Sequence, residues 1–128
     1  MQDRVKYEYA IIRVVPKVER EEFFNVGVIL FSKSKKYLQV KYHIDTNKLK
    51  AFSEELDVNF LEDYLKSWEL ICQGAPAGGA IGKLEISDRF RWLVASRSTI
   101  IQSSKPHPGL CNANPQEVLQ DIFEKYVL

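Results

Sequence analysis

Between residues 5 and 15 the chain alternates with a period of two. Tyr7, Tyr9, Ile11, Arg13 and Val15 fall on one side, and Glu8, Ala10, Ile12 and Val14 on the other. This alternation predicts a β-strand, and apolar residues on both sides of its middle predict a central strand covered on each face. Pro16 ends the run, because proline has no N–H to give to a ladder. Residues 17–22 are mostly charged and read as a solvated connection. A second strand is predicted over 23–31, with Phe23, Asn25, Gly27, Ile29 and Phe31 on one side and Phe24, Val26, Val28 and Leu30 on the other. A glycine inside a strand weakens it, so Gly27 is expected to mark a bulge or the close approach of another backbone. Residues 32–36 read as a turn, and a third strand over 37–44 presents Leu38, Val40, Tyr42 and Ile44. Connections this short make the three strands an antiparallel meander.

Beyond residue 44 the apolar spacing changes to threes and fours. Asp45 is placed to cap a short helix carrying Leu49, Phe52 and Leu56, and Asp57 or Asn59 to cap a second reaching about Cys72. The stripe of the second is Phe60, Leu61, Tyr64, Leu65, Trp68, Ile71 and Cys72. Residues 74–82 are glycine-rich, with Gly78, Gly79 and Gly82 close together, and are expected to be irregular and the most flexible part of the chain. Ser87 or Asp88 begins a short helical turn ending at Val94. Residues 98–103 read as a fourth strand centred on Thr99, Ile100 and Ile101, and Pro106, Pro108 and Gly109 predict an irregular loop after it. Asn114 as cap, Pro115 at the first helical position and Glu117 signal a last helix that buries Val118, Leu119, Ile122, Phe123 and Tyr126. The expected fold is α+β: an antiparallel sheet, a meander of three strands plus a fourth near 98–103, with helices packed on it in one domain spanning 1–128.

The 128 residues suffice for one core without staples, since a chain this long buries roughly two-thirds of its unfolded surface. Eighteen basic residues against seventeen acidic leave a net charge of +1, which exerts no global pull on nucleic acid or an anionic membrane. Cys72 and Cys111 are too few for a disulfide scaffold and are expected to be reduced in a cytoplasmic protein. The N-terminus lacks the apolar stretch of a secretory signal, and no apolar run nears the ~20 residues that span a bilayer.

Three segments carry a resemblance. Phe23-Phe24-Asn25-Val26-Gly27-Val28-Ile29-Leu30-Phe31, then Arg89-Phe90-Arg91-Trp92-Leu93-Val94-Ala95-Ser96-Arg97-Ser98-Thr99-Ile100-Ile101-Gln102, then His107-Pro108-Gly109, resemble the signature of a bacterial family known as "domain of unknown function 3037". The likeness runs from about Tyr7 to the final helix. It brings no activity, catalytic residue or cofactor, and it implies one partner, a kinase resembling the toxin kinase HipA.

The densest polar constellation is Arg89, Arg91, Arg97, Ser98, Thr99, Gln102, Ser103, Ser104, Lys105 and His107. Guanidinium forks beside hydroxyl donors suit phosphate or carboxylate, so one reading is a surface that binds an anionic group or a partner's acidic segment. The competing reading has Arg89 and Arg97 pin the glycine-rich segment through backbone carbonyls or carboxylates such as Glu22 and Asp88. A second candidate is Asn25 with Glu22 and Arg13, either lining a shallow site or serving a bulge at Gly27 and a cross-strand pair.

Catalytic patterns are sparse. His43 and His107 are the two histidines, and Cys111 follows His107 by four residues with Pro108 and Gly109 between. The scattered Cys and His lack zinc spacing, and the glycines lack the lysine-serine or lysine-threonine of a phosphate loop. No metal and no cofactor is expected. Lys33, Lys35, Lys36 and Lys41 would serve nucleic acid if aromatics lay beside them, but lysine more often protects a sheet edge from aggregation. The expectation is a non-enzymatic module that recognises a protein partner or an anionic group through residues 89–107. The alternative is an enzyme acting on phosphate esters or nucleic acid, with His107 as acid or base and Arg91 and Arg97 on the phosphoryl oxygens.

Overall fold

The computed structural model describes residues 4–16, 22–52, 56–95, 99–112 and 114–128. The three alternating runs form β1 (Val5–Val14), β2 (Phe24–Ser32) and β3 (Tyr37–Tyr42), paired antiparallel in the order β3-β2-β1. Between β1 and β2 the register passes from Ile12 opposite Gly27 to Arg13 opposite Asn25, so Val26 is an extra residue and the strand bulges there. Gly27 has a steric reason as well. A Cβ at that position would lie 2.8 Å from the Lys41 carbonyl oxygen and 3.0 Å from the Tyr42 Cβ. The bulge and the close approach are both present.

The fourth position in the sheet is shared by two short strands laid end to end along β1. These are β4 (Ile101–Ser103), opposite Ile12–Val14, and β5 (His107–Cys111), opposite Val5–Tyr9. The fourth strand therefore starts at Ile101, with Thr99 and Ile100 outside it. The stretch around Pro108 and Gly109, expected to be irregular, is a strand. Ser104 spans the break. Its N–H donates to the Ile11 carbonyl at 2.8 Å, and its Oγ accepts from the Ile11 N–H at 2.9 Å. β1 thus keeps both bonds at the point where its neighbour changes strand.

The helices are α1 (Thr46–Phe52), α2 (Val58–Gln73), α3 (Gly79–Gly82), α4 (Ile86–Val94) and α5 (Pro115–Tyr126). Asp57 caps α2 by accepting from the Phe60 N–H at 3.1 Å, and Asn114 caps α5 by accepting from the Gln116 N–H at 3.0 Å. The sheet is covered on both faces. Ala10, Ile12 and Val14 meet Leu61, Leu65 and Trp68 of α2 and Phe90 and Leu93 of α4. On the other face Ile11, Val28 and Leu30 meet Leu119 and Phe123 of α5. This explains why β1 is apolar on both sides through its middle. Phe60, expected in the buried stripe, stands half exposed on the first turn of α2.

The glycine-rich segment is packed rather than open. It holds α3, and a Cβ on Gly78 would lie 2.8 Å from the Ile71 Cα. One on Gly82 would lie 2.9 Å from the Gly74 carbonyl carbon. These glycines let α3 seat directly on the end of α2. Among the described residues no helix is long and apolar enough to cross a membrane.

Candidate functional site

Arg89 and Arg91 are two positions apart on α4, which is about 200° around a helix, so their side chains leave on opposite sides. Arg89 turns inward. Its Nη1 donates to the carbonyls of Ile71 and Cys72 at 2.8 Å each, and its Nε donates to Leu84 O at 3.1 Å. The first two are carbonyls of the last turn of α2, which lack the donor four residues on, although Ile71 O also accepts from the Gly74 N–H at 3.1 Å. Arg89 therefore ties the end of α2 to Leu84, on either side of the glycine-rich segment, through backbone carbonyls as in the pinning reading, and its guanidinium is occupied there. Its charge also acts on the neighbouring Cys72 thiol. Burial pushes that thiol up to about 12, while the guanidinium works in the opposite direction.

Arg91 turns outward, and its side chain is 54% exposed. Nη1 and Nη2 donate to the two carboxylate oxygens of Glu8 on β1, at 3.0 and 2.6 Å. Arg97 and Ser98 lie outside the described residues. Thr99 and Gln102 spend hydrogen bonds on local backbone: Thr99 Oγ1 donates to Ile101 O at 2.7 Å, and Gln102 Nε2 to Thr99 O at 2.8 Å. His107 is exposed and opposite Tyr9, the ring centroids 5.2 Å apart. Tyr9 belongs to the α5 face, whereas Glu8 and its partner Arg91 belong to the face carrying α2 and α4. His107 and Arg91 therefore occupy opposite sides of the sheet.

The second candidate cluster is partly assembled. Arg13 and Asn25 are register partners beyond the bulge. The Arg13 guanidinium lies 4.3 Å from the centre of the Phe23 ring, and its Nε is buried without a hydrogen-bond partner. Asn25 Nδ2 donates to Tyr126 O at 3.1 Å, and its Oδ1 is buried without a partner. Glu22 is half-buried and makes an interaction of its own. The cluster supports the bulge and joins β2 to the end of α5.

What the structure adds is a groove around Arg91. The helical layer over β1 covers Ala10, Ile12 and Val14 and stops there. The same face of the strand continues past it as Glu8 and Lys6. Beside them lie Pro108 and Leu110 of β5, with Leu110 53% exposed, and Phe31 and Lys33 at the end of β2. Ser87 and Arg91 of α4 form the wall. The groove is open, with a volume of about 820 Å³ and a mainly apolar floor. Phe31 is held by stacking on Phe90, their centroids 5.0 Å apart. Lys6, Lys33 and Arg91 face one lining carboxylate, Glu8. Among the described residues no carboxylate lies within ion-pair distance of Lys6 or Lys33.

Sequence reasoning missed Lys6, Glu8 and Leu110, and weighed Lys33 only with the lysines of the β2–β3 turn. A signal existed for the first two: the core-facing side of β1 turns from apolar to charged at Glu8, where its helical cover must end. Chemically the groove can hold an apolar chain and grip an anionic group beside it. The hydroxyls that line it, on Tyr7 and Ser87, have no histidine among the lining residues, and among the described residues no group of three or more His, Cys, Asp or Glu is placed to hold a metal ion.

No curated protein and no solved structure matches the chain. A family profile does, over residues 9–127, nearly the whole length. The chain thus belongs to the family described as "Protein of unknown function (DUF3037)".

Proposed function

We propose that this domain is a non-enzymatic binding module that takes an acidic, partly apolar segment of a protein partner into the groove between α4 and the β1–β5 end of the sheet. The observation that carries this reading is the union of an apolar floor with three cations and a single carboxylate at one site. An open groove of about 820 Å³ suits a side-chain-bearing segment. The lysines of the adjoining turn, Lys35 and Lys36, are exposed next to Lys33 and extend the positive rim. A kinase resembling HipA is the partner that the family resemblance suggests.

The test is comparative capture from the native host. Wild-type protein and a Lys6→Glu/Lys33→Glu variant serve as paired baits, each checked for an unchanged melting temperature. A partner held by the groove is retained by the wild type and lost by the variant, and loss becomes milder as salt rises in the wild-type comparison. Equal retention of every captured protein by both baits overturns the assignment of the groove.

A further inference from the structure

Resting on that reading of the groove, we propose that Glu8 is a resident substitute for the partner's carboxylate. It holds the Arg91 fork until an acidic side chain of the partner displaces it. Three observations point this way. First, each guanidinium Nη donates to one of the two Glu8 oxygens, at 3.0 and 2.6 Å, which is the fork geometry that an incoming carboxylate would adopt. Second, the pair is accessible. The Arg91 side chain is 54% exposed and that of Glu8 is 29% exposed, so the exchange exposes no buried charge. Arg89 makes the contrast, because its Nη1 is part-buried and tied to the main-chain carbonyls that end α2.

Third, a displaced Glu8 has somewhere to go. Lys6 is two positions along β1 and on the same face, and Lys33 lines the same groove. Neither is paired with a carboxylate among the described residues. The swap conserves the number of ion pairs: the ligand takes Arg91 and Glu8 takes a lysine. A ligand that carries an amide in place of the acid cannot drive it. Glu8 thereby makes the groove selective for acids over neutral segments of the same shape.

The probe is a pool of short capped peptides in which Asp or Glu alternates with Leu or Phe. A matched pool carries Asn or Gln instead. Affinities are read by fluorescence polarisation on wild type, Glu8→Gln and Glu8→Thr, the last keeping strand propensity at the same position. Removing the internal competitor is expected to tighten acidic-pool binding about fivefold in both variants, the equivalent of one exposed ion pair. The amide pool is expected to be unmoved, and adding Arg91→Ala is expected to erase the gain. Acidic peptides that bind wild type and both variants alike, or bind the variants more weakly, overturn the proposal. Glu8 would then simply tie α4 to the sheet. Acidic peptides that bind neither wild type nor variants overturn the groove reading and this inference together.

Discussion

At the scale of single residues, Arg89 and Arg91 show how position on a helix separates two identical side chains. Arg89→Ala removes the guanidinium from the carbonyls of Ile71 and Cys72, beside a buried thiol, and leaves Ile71 O with the Gly74 N–H alone. We expect a loss of about 2–3 kcal/mol in urea unfolding, the scale of orphaning one acceptor and removing a charged donor. Arg91→Ala removes an exposed pair with Glu8 and is expected to cost less than about 1 kcal/mol. Equal losses in the two variants would contradict this division of labour. The sequence places both arginines in one polar cluster, because residue type alone cannot distinguish a guanidinium that caps carbonyls from one that meets solvent. The helical reading of 88–94 nevertheless contains the answer, since a spacing of two cannot put both on one side. Gly27 was more legible: an interior glycine in a strand has few physical reasons to exist, and two of them operate here.

At the scale of elements, the fourth sheet position tests how a broken strand is held. Ser104 substitutes its hydroxyl for a ladder acceptor at the Ile11 N–H, which sits between the stretches of β1 that pair with β4 and β5. Ser104→Ala should therefore cost about 1–3 kcal/mol, the desolvation penalty of a buried amide left unpaired. Native-state hydrogen exchange should show the Ile11 amide losing protection selectively. Unchanged protection at Ile11 would show that the bond is replaceable. The helices and the meander were legible because periodicity and caps are local. Asp57, Asn114 and Pro115 act where the sequence places them. β5 was illegible for a definite reason. Proline and glycine side by side signal a loop, but an edge strand tolerates proline wherever its nitrogen points away from the ladder. Gly109 is there because the Tyr7 ring from β1 occupies the space a Cβ would need. That reason is a tertiary contact between residues 102 positions apart in neither pattern nor composition, only in space.

At the scale of the whole molecule, covering the sheet on both faces buries groups that must stay protonated. Burial pushes the Cys72 thiol up to about 12 from its ordinary 9. Burial, assisted by a hydrogen bond to Glu69, pushes the Tyr42 hydroxyl up to about 12 from 10. Burial raises Tyr7, Tyr9 and Tyr37 as well, with Tyr126 adding to the effect on Tyr9. In each case the unfolded chain releases its proton at a lower pH than the native protein does. Below about pH 9 both states hold these protons, and the contribution to stability is complete. As pH rises from 9 towards 12 the unfolded state binds fewer protons than the native state, so stability falls across that window. Cys72 governs the onset, because its unfolded thiol titrates a full unit before the tyrosines. Urea midpoints should hold nearly level from pH 7 to 9 and then decline. In Cys72→Ala the start of the decline should move from about pH 9 to about pH 10, on top of a pH-independent loss of about 1–2 kcal/mol for the emptied thiol site. An onset that stays at pH 9 in the variant would mean that a group other than the Cys72 thiol sets it, and that burial at the α2 end of the core does not hold this thiol protonated through that window.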